Sequence, residues 1–514
     1  MKKLNIILLL ISTFAISNSC TNLEEKLYST LLADDYYSSE MAFIGAVGKV
    51  YMSPQDKEMD PWGLFGIQEM TCNSAITPVR NYGGLNNGGI FVEAYLHKFR
   101  PQSAIILNAW KNLNATISLC NQVLTELDSS DVEFAKKPVF ISELKLMRAH
   151  QYCWMIDFWG NIPFTLSTTD VGLPPRKTRT EIFPLLIEEI KQNAPLVERT
   201  PTKLNYGRIT QGMAYTLLAK MYLNSQEWTG VPRWDECISA CDSVILSNNY
   251  SLESNYFKNF LILNESSKEN IFILPLDRKN GWGWQIHQFA LHPNQARLAY
   301  NITAPIWDAT ACTEEFYNLY DPKDSRINSW NTGPQSYSGQ PILTSTGAQL
   351  NYTKATTITN FNTLTGAKEG EGPRCFKWEF TKDLKIKLET MDNDWVYFRY
   401  AEVLLMKAEA LMRKNGGTAT QQAVDLVNQV RTRAFGNTSG NYTIASLTLD
   451  ELCNELGREF VYELHRRTDL IRFGKYGNAW FAKSADPADG YRKLLPIPTT
   501  AMSTNPNLIQ NPGY

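Results

Sequence analysis

Five tryptophans stand in segments rich in Gly, Asn and Pro, where a large ring has little reason to be buried: Trp62, Trp282, Trp284, Trp307 and Trp330. Flat rings flanked by hydrogen-bonding side chains suit the C–H faces of sugars, and Trp and Tyr supply that area at little rotamer cost. The sharpest case is Gly281-Trp282-Gly283-Trp284, whose two rings share one face if the stretch is extended. Arg80, Asn81 and Tyr82, just before Gly83-Gly84, put a fork-shaped donor, an amide and a ring in one loop. The expectation is a ring platform of Trp282, Trp284 and Trp307 with Arg80, Asn81 and Tyr82 beside it. The competing reading packs those rings into the core and gives Arg80 and Tyr82 to a turn. Trp110, Trp154 and Trp159 lie within or at the end of helical stripes and are expected in the core.

Other chemistry finds less support. A two-carboxylate glycosidase needs acids a set distance apart. Asp392-Asn393-Asp394 reads better as a cap before a helix from Tyr397 to Leu411, Asp321-Pro322 as a turn, and Glu314-Glu315 as the solvated face of a short helix. His97, His150, His287, His292 and His465 show no zinc-ligand spacing, so neither a metal nor another cofactor is expected. There is no Gly-rich phosphate loop and no Ser/His/Asp arrangement, and the chain is not expected to be an enzyme. Besides Cys20 there are Cys72, Cys120, Cys153, Cys237, Cys241, Cys312, Cys375 and Cys453, none in a C-x-x-C. They read as buried thiols, with one or two disulfides after export as the alternative. Lys+Arg 50 against Asp+Glu 52 argues against a nucleic-acid partner.

The elements that must hold these residues are mainly helical. Ile106, Trp110, Leu113, Ile117, Cys120 and Leu124 recur at three and four residues and predict a helix from Ser103 to Asp128. Leu144, Met147, Ala149, Tyr152, Met155 and Ile156 mark a second amphipathic helix ending near Gly160. Thr180 to Asn193, Arg208 to Asn224 and Trp234 to Leu246 follow. Beyond Leu246 the pattern changes: Ile271 to Leu276 is strand-like, and Asn331 to Pro373, rich in Thr, Asn and Gly, reads as loops with short strands. Helices return at Tyr400 to Leu411, around Ala423 to Val430, and from Glu451 to Phe473. Small residues at crossing points, such as Ala401, Ala408, Ala410 and Ala423, suggest about four tetratricopeptide-like hairpins supporting an irregular, loop-rich lobe with a few short β-strands.

The chain starts with Lys2 and Lys3, an apolar run from Leu4 to Ile16 too short to span a bilayer, and small or polar residues before Cys20. That order predicts a signal peptide, 1–19, cleaved before a lipidated Cys20, although Ser17-Asn18-Ser19 is a loose form of the bacterial pattern. Plain cleavage is the alternative.

Three further stretches carry a family resemblance. The run Arg399 to Ala410 (RYAEVLLMKAEA) resembles the helix that opens the C-terminal repeat region of the SusD/RagB family of outer-membrane nutrient-binding lipoproteins. Glu455 to Phe460 with Arg466 to Gly474 is similar to that family's penultimate helix. Leu495-Pro496-Ile497-Pro498 and Asn505 to Tyr514 are similar to its usual C-terminal segment. Glu24-Glu25 resembles the signal that sends Bacteroidetes lipoproteins to the outer face of the outer membrane. The resemblance implies a cell-surface, lipid-anchored glycan-binding protein that serves a SusC-like TonB-dependent transporter and is not an enzyme. It also implies an N-terminal region, 20–250, and a C-terminal region, 251–514. A peptide- or glycoprotein-binding member of the same scaffold, or a surface scaffold or adhesin with no small ligand, are the alternatives. The charged set Arg458, Glu459, Arg466, Arg467 and Asp469 is expected to form an ion network on one helix or part of the partner-facing surface.

Overall fold

The computed structural model describes residues 37–54, 58–82, 85–167, 172–279, 283–385 and 390–514. The signal peptide, Cys20 and Trp282 lie outside the described residues.

The chain is mainly α. After α1 (Glu40–Met52) come α2 (Ala104–Ser129) and α3 (Lys137–Trp159), then α4 (Arg179–Asn193), α5 (Gln211–Thr229) and α6 (Trp234–Ile245). Each local start has a cause. In α4, Thr178 accepts from the Glu181 amide while the Glu181 side chain accepts from the Thr178 amide, a reciprocal capping box. In α2 the buried positions Ile106, Ala109, Trp110, Leu113, Ile117, Cys120 and Leu124 keep the three-and-four spacing of one stripe. The adjoining α3 departs from the amphipathic expectation, because from Leu146 to Trp159 every residue is buried. It is the central helix of the stack and takes neighbours on every side. Trp110, Trp154 and Trp159 are core residues, as expected.

Consecutive helices from α2 to α6 pack each on the next, and α6 then packs on α7 (Tyr400–Lys414), which pairs with α8 (Gln421–Phe435). The loop-rich lobe is therefore an insertion between two neighbouring helices. Its neck is closed by β2 (Asn270–Leu274) running antiparallel to β4 (Trp395–Arg399), with Trp395 opposite Leu274 and Arg399 opposite Asn270. From outside that insertion, β1 (Val79–Arg80), which precedes α2, lies parallel to β3 (Thr365–Ala367) of the lobe, and further strands are two-residue pairs. A continuous core runs from Phe43 to Leu508.

Two local expectations are corrected. Residues 395–399 are strand, so Asp392-Asn393-Asp394 does not cap a helix; the Asp394 carboxylate instead accepts from the Leu276 amide at 2.8 Å, and that of Asp392 from the Arg278 amide at 3.0 Å. The last long helix is two, α9 (Leu449–Phe460) and α10 (Arg466–Arg472), because Tyr462 and Leu464 adopt φ of 58° and 65°. Left-handed backbone at two non-glycine residues breaks a helix outright. All eight described cysteines are buried and free, matching the buried-thiol reading.

Of the charged set, Arg458 and Glu459 join a buried ion network that reaches well beyond one helix, whereas Arg467 pairs with Asp157, Asp469 with Arg472, and Arg466 donates to Asn73 and the Cys453 carbonyl. Arg399 donates to Glu269 at 2.5 Å and Glu459 at 3.0 Å through Nη1, and to Glu463 at 2.6 Å through Nε. Arg326 reaches Glu455 at 2.8 Å and Glu459 at 2.9 Å, and Arg433 reaches Glu459 at 2.5 Å. Burial opposes ionisation of Glu459, but Arg433, Arg399 and Arg326 outweigh it and hold its carboxyl down at about 2. The network ties α8 and α9 to the neck strand that ends at Arg399.

Candidate glycan-binding surface

Four aromatic rings from three parts of the chain meet at the root of the lobe. Trp62 and Trp307 cross edge to face at 5.2 Å and 87°, Phe289 meets Trp307 at 5.1 Å and 82°, and Phe91 meets Phe289 at 5.6 Å and 88°. The two Phe rings are buried, whereas Trp62 and Trp307 are partly exposed. The segment carrying Trp307 is stitched down by backbone bonds from Trp307 N to Gln288 O at 2.7 Å and from Ala309 N to Phe289 O at 2.9 Å. A bridge between Ile76 and Ala311 brings that segment beside β1.

Asp308 is the hub. It adopts φ of 45° and is 1 % exposed. Its carboxylate accepts from the Tyr82 hydroxyl and lies 2.7 Å from Arg374 Nη2, while its backbone carbonyl accepts from Arg80 Nε at 2.9 Å. Arg80 Nη1 also donates to Lys368 O at 2.8 Å. Tyr82 keeps its ring 36 % exposed. Burial and then the Asp308 carboxylate push the Tyr82 phenol up, so it stays a hydrogen-bond donor. Burial and then Arg374 pull Arg80 down to about 10. Asn81 is exposed, with its amide nitrogen on Gly366 O at 3.2 Å.

The structure thus brings Trp307, Arg80, Asn81 and Tyr82 together, but not in the expected roles. Arg80 is 3 % exposed and holds two carbonyls, so the expectation that its fork faces a ligand is corrected in favour of the turn reading. Trp284 is corrected too: it is 2 % exposed, at 4.5 Å from Trp378 and 4.9 Å from Trp395, inside a three-tryptophan core. Its neighbour Gly283 shows why, since a Cβ there would sit 1.9 Å from the Met391 carbonyl that the Trp284 bridge brings close. Trp330, 4 % exposed, packs on Phe316 and Tyr462. Sequence reasoning missed Asp308 and Arg374. An acid directly after a loop tryptophan, in Ile306-Trp307-Asp308, was the available signal.

Trp62, Trp307, Tyr82 and Asn81 supply the accessible part of this cluster, over the buried Phe91, Phe289, Arg80 and Asp308. Comparison with known proteins agrees with the architecture. The SusD family model matches residues 244–514, more than half of the chain. The starch-binding protein SusD of Bacteroides thetaiotaomicron is 26 % identical over 422 residues, covering 73 % of this chain and 72 % of that protein. SusD-like protein P25 of Formosa agariphila is 23 % identical over 548 residues, spanning 100 % of both chains. Among solved structures, surface glycan-binding protein A from Bacteroides thetaiotaomicron in complex with laminarihexaose superposes with a TM-score of 0.73 at 20 % identity, covering 92 % of this chain and 99 % of that one. The family match, together with the hairpin stack and its inserted lobe, places the chain in the SusD family.

Proposed function

We propose that this protein is a lipid-anchored surface protein that captures oligosaccharide and passes it to a SusC-like TonB-dependent transporter in the outer membrane. The observation that carries the binding half is a pair of partly exposed rings: Trp307, next to Asp308 in the chain, and Tyr82, whose hydroxyl donates to the Asp308 carboxylate. Pre-set rings bind sugar faces without a large ordering cost. The names of the relatives support the ligand class, since they include a starch-binding protein and a laminarin-binding SusD-like protein. The same names describe binding proteins, in keeping with a non-catalytic role. The transporter, the outer-membrane surface location and the lipid on Cys20 rest on the family and on the signal-like start of the chain.

A glycan array on the mature chain, followed by calorimetric titration of the best oligosaccharide, tests the reading. Trp307→Ala is expected to weaken binding by about 1 to 3 kcal/mol, the scale of a well-placed aromatic contact. Unchanged affinity in both Trp307→Ala and Tyr82→Ala would remove this surface as the binding site, and an array with no glycan bound would favour a peptide ligand.

A further inference from the structure

A cleft of about 350 Å3 opens between the start of α4, the end of α5 and the segment 489–494. Its size falls in the range of small-molecule sites. Trp228 closes its inner side, Leu494 and Tyr491 form an apolar wall, and Glu227 and Lys493 sit at the mouth, paired at 2.8 Å. Tyr491 is held edge to face by Tyr514 at 5.1 Å and 74°.

Arg179 is the anomaly in this cleft. Its Nη2 donates to the Asp157 carbonyl at 3.2 Å, but Nε is buried with no partner and Nη1 makes no hydrogen bond. Among the described residues no ion pair joins Arg179 to the acids of the cleft, and Asp489 accepts from the Tyr491 amide at 3.4 Å. Asp157 takes Arg467 at 3.2 Å, Thr468 at 2.9 Å and Trp228 Nε1 at 3.3 Å, and Glu227 takes Lys493. The guanidinium carbon lies 5.9 Å from the Trp228 ring centroid, within reach of a cation–π contact. Nη1 is thus the donor left free at the cleft, where it can meet one oxygen of a carboxylate. Burial pulls Arg179 down to about 10, against the raising effect of Asp157 and Glu227.

We infer that the Arg179 cleft is a second, separate ligand site that takes a monosaccharide-sized sugar bearing a carboxylate, a uronic acid by chemical class. The carboxylate meets Arg179, the ring lies against Tyr491 and Leu494, and Glu227 and Lys493 offer hydrogen bonds to hydroxyls at the mouth. A free carboxylic acid shares the first contact but lacks the other two.

Calorimetric titration of the full mature chain with glucuronate, glucose and acetate reads all three contacts. Glucuronate is expected to bind at least about tenfold more tightly than glucose or acetate, and more weakly as salt rises. Arg179→Gln should weaken glucuronate about tenfold or more, and Arg179→Lys should recover part of the loss. Because Arg179 also begins a helix, Tyr491→Leu at the cleft edge supplies a second variant, expected to weaken glucuronate with an unchanged melting temperature. Equal affinity for glucuronate and glucose, or for glucuronate and acetate, overturns the proposal. So does glucuronate binding that neither variant alters.

Discussion

A single carboxylate decides the shape of the candidate surface. Asp308 stands between two buried guanidiniums, Arg80 and Arg374, and the accessible phenol of Tyr82. Asp308→Ala leaves two buried cations without their counter-charge, so we expect a loss of about 3 to 5 kcal/mol in denaturant unfolding. Tyr82→Phe is the cleaner probe of positioning, for it keeps the ring and removes the bond. It should cost about 1 kcal/mol of stability and still lower oligosaccharide affinity in calorimetry. A second carboxylate gives a pH test. Glu58 is 1 % exposed and accepts from Tyr397 at 2.5 Å. Burial raises its carboxyl from 4.5 to about 7, against the lowering effect of the Tyr397 and Gln151 hydrogen bonds. The folded state therefore binds the proton more tightly than the unfolded chain, and its contribution is present below about pH 4.5 and lost as pH rises to about 7. Glu58→Gln should leave stability unchanged near pH 4 and raise it by about 3 kcal/mol above pH 7, read from melts at the two pH values. A gain of equal size at both would show that ionisation is not its cause.

Helices were legible where one face is buried, and less so where burial surrounds them. The stripe of α2 set its span to within a residue, because three-and-four spacing survives only on a half-exposed helix, and the expected span of α4 also falls within a residue of the observed one. In α3 the wholly buried half erases that contrast, and the central position of the helix could not be read from its pattern. The break at Tyr462 and Leu464 was hidden for another reason: neither residue is a glycine, and only tertiary contacts hold them left-handed. The same blindness affected the rings. Gly281-Trp282-Gly283-Trp284 reads as a flexible, exposed stretch, yet Gly283 serves close approach to Met391, and that approach draws Trp284 into the core. The ion network accounts for the buried charges Glu455, Arg458 and Glu459 on α9. Arg399 ends β4, begins the turn into α7, and joins Glu269, Glu459 and Glu463. Arg399→Ala should cost about 3 to 5 kcal/mol, since three buried acids lose a shared partner. Arg399→Met with Glu459→Gln should recover part of that in thermal melts, because less uncompensated charge then stays buried.

At the scale of the molecule, a lobe inserted between two packed helices separates support from recognition. The continuous core runs from the helical stack into the lobe, and Trp62 and Trp307 pack on it while staying partly exposed. Among the described residues no helix is long and apolar enough to cross a membrane, so the proposed attachment rests on Cys20. Cys20 lies 17 positions before Tyr37, the first described residue. A single lipid chain would give only marginal binding, and the several chains of a lipoprotein anchor give a stable one. We therefore expect Cys20→Ala to move the protein from the membrane fraction to the soluble fraction, with its melting temperature unchanged. In wild-type cells, labelled fatty acid should enter the chain and added protease should reach it from outside. Mild detergent extraction should bring down a β-barrel of the TonB-dependent class. Protease protection in intact cells would put the protein on the other side of the membrane, whereas recovery of the chain alone would keep the anchor and remove the partner.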